Sequence, residues 1–333
     1  MHQELGDPCT PRRVLPRAGG LIAVALPLAL GPSFAAGAVS KEEFLAQYEP
    51  DAARLQEFYG NVRLSARVAN SGWPQEAHNI QQEIVLRGGR GSLRLDRTTS
   101  QGERPGTAAW VATPTRSFAA FARPGQSSYS LEDLSGQYAG AVAGMRLRCP
   151  LTAAPYGILE DRITDFIRFE DLTVTRLERT TDEQGAALAK LHYERHSEDD
   201  GQRYEQYGWL SFYPDRCWAL REYSFGAKDP NKTRIRALLD YAGDQEGVPL
   251  LKRAEYWYES GPPPRKRSLV QTFEVTELVP GPVPEKEFTL AAFGLPEVEQ
   301  AAPSKLPYVI VFLGLLALVA GIMLRRRVLA RRA

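Results

Sequence analysis

Thr173 to Phe225 reads TVTRLERTTDEQGAALAKLHYERHSEDDGQRYEQYGWLSFYPDRCWALREYSF, and this stretch decides the fold. It breaks at three polar turn clusters, DEQG (182–185), EDDG (198–201) and YPD (213–215). The pieces between them are rich in aromatic and branched residues and are long enough for extended strands. Connections this short cannot hold a crossover helix, so the strands run antiparallel, as a meander.

The same pattern continues on both sides. Downstream, KTRIRALLDYAG (232–243), VPLLKRAEYWYES (248–260) and KRSLVQTFEVTEL (266–278) each have the length of a long strand. Upstream, Val62, Leu64, Ala66 and Val68 alternate with Arg63, Ser65 and Arg67, a period of two. NIQQEIVLRGG (79–89) and GSLRLDR (91–97) flank a glycine turn, and TAAWVATPTRSFAAFARPG (107–125) gives two strands pivoting at Pro114. Two helices are predicted. Ser40 and Glu43 form a capping box that opens SKEEFLAQYEP, Pro50 interrupts or restarts the helix, and Leu55, Phe58 and Tyr59 carry its apolar stripe to Gly60. In PYGILEDRITDFIRF (155–169), Leu159, Ile163, Phe166 and Ile167 share one helical face. The fold class is α+β with a predominantly antiparallel sheet.

The segments AAWVATPTRSFAAFAR (108–123), GWLSFYPDRCWALREYSF (208–225) and VPEKEFTLAAFGLP (283–296) resemble strand and terminal segments of the periplasmic lipoprotein-carrier superfamily. The resemblance covers about residues 40 to 295. It implies a curved, half-open β-barrel closed by an N-terminal and a mid-chain helix. The concave face of such a sheet holds acyl chains or another apolar ligand. This chain departs from those soluble or lipid-anchored carriers by carrying an apolar segment of spanning length.

That segment, Leu306 to Leu324, is 19 residues without a charge. As a helix it reaches roughly 28 Å, the thickness of a bilayer's hydrocarbon core. Tyr308 suits the interface, and Arg325, Arg326, Arg327, Arg331 and Arg332 place the tail, 325–333, on the cytoplasmic side. At the other terminus, Arg12, Arg13 and Arg17 precede the apolar run Gly19–Leu30 and the small residues Ala36-Gly37-Ala38, the pattern of a secretory signal over 1–38. Arg12-Arg13 also admits a twin-arginine reading. Cys9 lies before the apolar run and is no lipid-anchor cysteine. The expected organisation is an exported domain over 39–295, a linker over 296–305 and a single-pass anchor, with the body outside the cytoplasm. The linker region GLPEVEQAAPSK (294–305) lacks LPxTG and Pro-Glu-Pro motifs, so the anchor is read as permanent. Ala317 and Gly321 offer a small-residue face for weak helix self-association.

With 41 basic and 40 acidic residues the chain has no net field to attract nucleic acid. Nothing matches GxSxG, SxxK, HExxH, paired CxxC or a phosphate-binding glycine loop, so catalysis, a cofactor and a metal are not expected. His192 and His196, with Glu198 or Asp199, are the nearest thing to metal ligands, but zinc sites want closer and more convergent ligands, and the pair reads as a solvated strand end running into a turn. Asp161 and Asp165 fall one helical turn apart, on what reads as a wet face. Cys149 and Cys217 are the exported cysteines, able to pair in an oxidising compartment for about 4 kcal/mol or to stay as buried thiols.

Tyr207, Trp209, Phe212 and Trp218 can line an apolar pocket or fill a core. Arg265, Lys266 and Arg267 sit on a Pro-rich turn, as a soluble hairpin tip or a contact to anionic headgroups. Gly136, Gly140 and Gly144, spaced by four, permit close helix packing, a mobile flap or a plain connection. The functional expectation is a membrane-tethered domain that binds a lipid, lipoprotein or other apolar partner. The alternative is an exported sensor or scaffold recognising protein, and an enzyme ranks last.

Overall fold

A computed structural model describes residues 39–71, 82–100, 105–126, 128–135, 138–159, 161–199, 202–227, 232–261 and 266–297. The expected leader, anchor helix and basic tail lie outside the described residues. Among those described, no helix is long and apolar enough to cross a membrane.

Helix α1 (Lys41–Tyr59) begins as its capping box dictates. Glu43 N donates to Ser40 Oγ at 3.1 Å and Ser40 N donates to Glu43 Oε2 at 2.9 Å. The helix runs through Pro50 without a restart, which corrects the expected interruption. Its Phe44, Tyr48, Ala52, Leu55 and Tyr59 are all buried, and that continuous face holds the helix against the sheet.

Thirteen strands form one sheet. β1 (Val62–Ser71), β2 (Gln82–Gly89), β3 (Ser92–Thr99), β4 (Gly106–Ala112), β5 (Ser117–Ala122) and β6 (Ser130–Ser135) make the first meander. β9 (Leu172–Thr181), β10 (Ala187–Asp199), β11 (Gln202–Tyr213), β12 (Ala219–Ala227), β13 (Arg234–Gln245), β14 (Val248–Ser260) and β15 (Lys266–Pro280) make the second. The two join where β1 pairs with β15, and every pairing is antiparallel. β6 and β9 remain edges, so the sheet does not close into a barrel.

The connection between those edges differs from expectation. Helix α2 (Tyr138–Arg148) occupies the glycine-spaced stretch, followed by a 3-10 turn at Pro150–Thr152. The helix predicted over 155–169 shrinks to α3 (Ile163–Arg168), preceded by the two-residue strands β7 (Gly157–Ile158) and β8 (Asp161–Arg162). Leu159 takes a left-handed backbone (φ 52°) that a helix interior does not accommodate. A Cβ on Gly157 would fall 2.4 Å from Ala153 Cβ, so the turn needs glycine there.

The inner face of the sheet carries Val62, Leu64, Ala66 and Val68 of β1, with Ile84, Leu86 and Leu95 beside them. Leu191, Leu210, Leu239 and Phe273 continue it across the second meander. Over this second meander the space is filled. Phe44 stacks on Tyr48 with ring centroids 5.4 Å apart, and Phe212 and Trp218 close the group at 5.7 and 5.8 Å from Phe44. A second, smaller core lies on the outer face, where Val283, Phe288, Leu290 and Phe293 pack on Ala109, Val111, Phe118 and Ala120.

Candidate ligand cleft

Among the described residues, α2 is the helix that packs on the inner face at β4, and it is loosely seated. Its sequence, YAGAVAGMRLR, spends two helical positions on glycine, each about 0.8–1 kcal/mol worse than alanine. Met145 is buried, while Ala141, Val142, Ala143, Gly144 and Arg146 are only half-buried and Gly140 is exposed. The helix-packing role of the glycines is not used at Gly144, where an added Cβ meets nothing nearer than Arg148 Nη1 at 3.5 Å.

Open volume lies on both sides of this helix. Between α2 and β4–β6 is a cleft of about 540 Å³, floored by Trp110 and Ala119, roofed by Met145 of α2 and rimmed by Glu132, Asp133 and Arg148. Arg148 holds its guanidinium carbon 5.2 Å from the Trp110 ring centroid and bonds back to Gly144 O at 3.4 Å. On the other side, a cavity of about 410 Å³ is bounded by Tyr59 of α1, Ser92 of β3, Val142 and Arg146 of α2, Tyr156, and Arg162 and Asp165. Both volumes fall in the range of small-molecule sites, about 300–1,000 Å³.

The 410 Å³ cavity carries two arginines to one aspartate and is partly dry, whereas the 540 Å³ cleft is rimmed by two carboxylates and one arginine. Burial lowers the Arg146 pKa; Tyr156 nearby raises it, Arg162 lowers it, and Asp165 and Asp161 raise it. Arg97 of β3 points from the inner face, where burial lowers its pKa, and its Nε donates to Gln82 Oε1 at 2.8 Å. Cys149, just after α2, is wholly buried, and burial pushes its thiol up to about 12. It is an inert neutral thiol at physiological pH.

The residues singled out from sequence separate. Phe212 and Trp218 belong to the filled core under α1. Trp209 lies on the outer face between Lys190, 3.8 Å from its ring centroid, and Arg236 at 5.6 Å. Tyr207 stands near His196 and donates to Glu205. The four aromatics therefore do not converge on one pocket. Cys149 and Cys217 are free thiols, with Cys217 Sγ 3.0 Å from Gly247 O. His192 faces Glu178 at 3.4 Å and His196 faces Glu194 at 3.6 Å. No group of three His, Cys, Asp or Glu among the described residues can hold a metal.

Asp161 sits on β8 and Asp165 on α3, so they do not share one helix. Arg267 lies over Trp257 at 4.5 Å and beside Glu255, while Gly136 and Arg265 lie outside the described residues. Sequence reading missed Trp110, Met145, Arg97 and Arg146 as neighbours. The interleaved Trp110 within AAWVA was the one local signal, a large ring between alanines.

No family model matches this chain, and no curated protein matches it. Among solved structures, a LolA superfamily protein from Nitrosomonas europaea, NE2245, is similar over 76% of this chain and 98% of its own, at 11% identity and a TM-score of 0.37. At that identity and score the likeness is one of outline, and the functional reading rests on the cleft.

Proposed function

We propose that this chain is a membrane-tethered binding module for a lipid-like amphiphile with an anionic head, held extracytoplasmically by the 306–324 segment. The observation that supports this reading is the poorly packed α2, flanked by 540 and 410 Å³ of open volume on the inner face, which the second meander fills with aromatic side chains. Shifting α2, which carries Met145, uncovers Trp110 and Ala119 as an apolar bed. Arg146 and Arg162 border the neighbouring cavity and supply charge-assisted donors for a phosphate or carboxylate. The protein does no bond chemistry in this reading; α2 acts as a flap whose displacement exposes and re-covers the bed.

The test uses residues 39–297 produced without detergent. Native mass spectrometry of the domain, followed by solvent extraction, is expected to release a bound amphiphile. A fluorescent fatty acid is expected to bind the delipidated domain, and Ala119→Trp, which fills the cleft floor, to weaken binding at least tenfold. A domain that carries no amphiphile and binds the probe equally well with Ala119→Trp overturns the reading.

A further inference from the structure

The last described segment, 281–297, is a strap, and its course fixes how the domain meets a bilayer. β15 ends beside the start of β1, where Gly281 N donates to Asn61 O at 2.7 Å and Val283 N donates to Gly88 O at 3.1 Å. The strap presses so closely on the β2–β3 turn that a Cβ on Gly89 would stand 2.7 Å from Val283 O. It then buries Phe288, Leu290 and Phe293 against Val111 and Phe118. Arg94 lies over the Phe293 ring at 4.1 Å and donates to Glu287 O at 3.0 Å, while Arg87 pairs with the Glu287 carboxylate at 3.0 Å.

The strap ends in a clasp. Glu297 accepts from Arg116 Nη1 at 2.7 Å and from Ala291 N at 3.2 Å, and these two bonds lower its pKa. Arg116 belongs to the β4–β5 turn, at the same end of the sheet as the α1–β1 junction and the β2–β3 turn. The 410 Å³ cavity reaches this end through Gly60, Asn61, Gly91 and Ser92.

Only residues 298–305 separate Glu297 from Leu306. Nine Cα steps reach at most about 32 Å. β14 has 13 residues, and a strand of that length runs to about 43 Å at 3.3 Å per residue. A domain stood on the far end of β14 would raise the near end of that strand farther than the tether reaches, whereas the tether leaves the domain at the Arg116 end itself, where Glu297 is clasped.

Taking the anchor of the proposed function as given, we infer that the domain stands with the Arg116 end toward the bilayer, so that the cavity bordered by Arg146 and Arg162 opens onto the lipid headgroups. The partner of this end is the headgroup layer, and the exposed Arg90 and Arg162 suit an anionic one. A ligand then passes between bilayer and cavity without crossing open solvent.

The test places a fluorophore on the full-length protein at Pro114→Cys, in the β4–β5 turn, or at Gln126→Cys, at the opposite end, each in a Cys217→Ser background. The protein is reconstituted in vesicles containing a lipid with a headgroup-linked quencher. Quenching is expected to be severalfold stronger at position 114 than at 126, and eight Gly/Ser residues inserted after Glu297 are expected to reduce the difference. Equal quenching at the two positions, or stronger quenching at 126, overturns the orientation. Failure of the chain to float with vesicles is a separate result that refutes the anchor itself, and the orientation with it.

Discussion

Gly144→Ala separates a loosely seated flap from a packed structural helix. Gly144 lies in the interior of α2, where replacing glycine by alanine gains about 0.8–1 kcal/mol of helix propensity. The added methyl meets only the end of the Arg148 side chain, at an ordinary contact distance of 3.5 Å, so no steric cost offsets that gain. At 1.4 kcal/mol per factor of ten, α2 should populate its unwound state about four- to fivefold less. Hydrogen exchange of the α2 amides is expected to slow by that factor, and entry of a fluorescent fatty acid with it. If α2 unfolds with the rest of the domain, the Tm rises by about 2–4 °C.

Gly208→Ala is the control of opposite sign. Its Cβ would lie 2.2 Å from Ser224 O and 2.4 Å from Tyr193 Oη, and it should destabilise the sheet. Unchanged α2 exchange in Gly144→Ala, or a fall in Tm, refutes the reasoning that α2 is limited by its own glycines.

Tyr59 Oη donates to Pro249 O at 2.6 Å and accepts from Leu251 N at 2.9 Å, both buried, so Tyr59→Phe should cost about 1–3 kcal/mol in chemical denaturation. Phe293→Ala removes the ring shared by Phe118, Tyr129 and Arg94; a loss of about 3–5 kcal/mol and faster proteolysis within 281–297 are expected, and unchanged protease resistance argues against the strap. Cys149 keeps its proton when folded up to about 12, whereas the unfolded thiol loses it near 9. Between those values the native state binds the extra proton, so stability falls as pH rises, by about 1.4 kcal/mol per pH unit for this group. Cys149→Ala should flatten the decline that begins near pH 9, and a slope identical to wild type refutes the assignment.

The sheet was legible because its strands satisfy two conditions at once. In β1 the two-residue period puts Val62, Leu64, Ala66 and Val68 on the face that α1 buries, and a one-residue slip would expose all four. The capping box at Ser40 and Glu43 is similarly local, set by residues three apart, and it forms as written. The aromatics of β11 divide between core and outer face because a strand reading carries no account of bulges or of which face is already occupied. The β11–β12 register shifts between Ser211 and Phe212, and α1 had already claimed the inner face at Phe212. Trp209 was left outside, between two cations.

α2 was illegible for a reason that bears on function. The two glycines weaken helical propensity, and glycine and alanine together blur the apolar period, so YAGAVAGMRLR reads as connection. The same residues that hide the helix from sequence leave it few side chains with which to hold the sheet. Local rules and global fold disagree there and agree nearly everywhere else, and such disagreements gather where a protein must move or bind. Were α2 merely filler, leucines at 140 and 144 would have closed the cleft over Trp110 with better helical propensity. On the proposed reading, glycine at those positions keeps the cleft open.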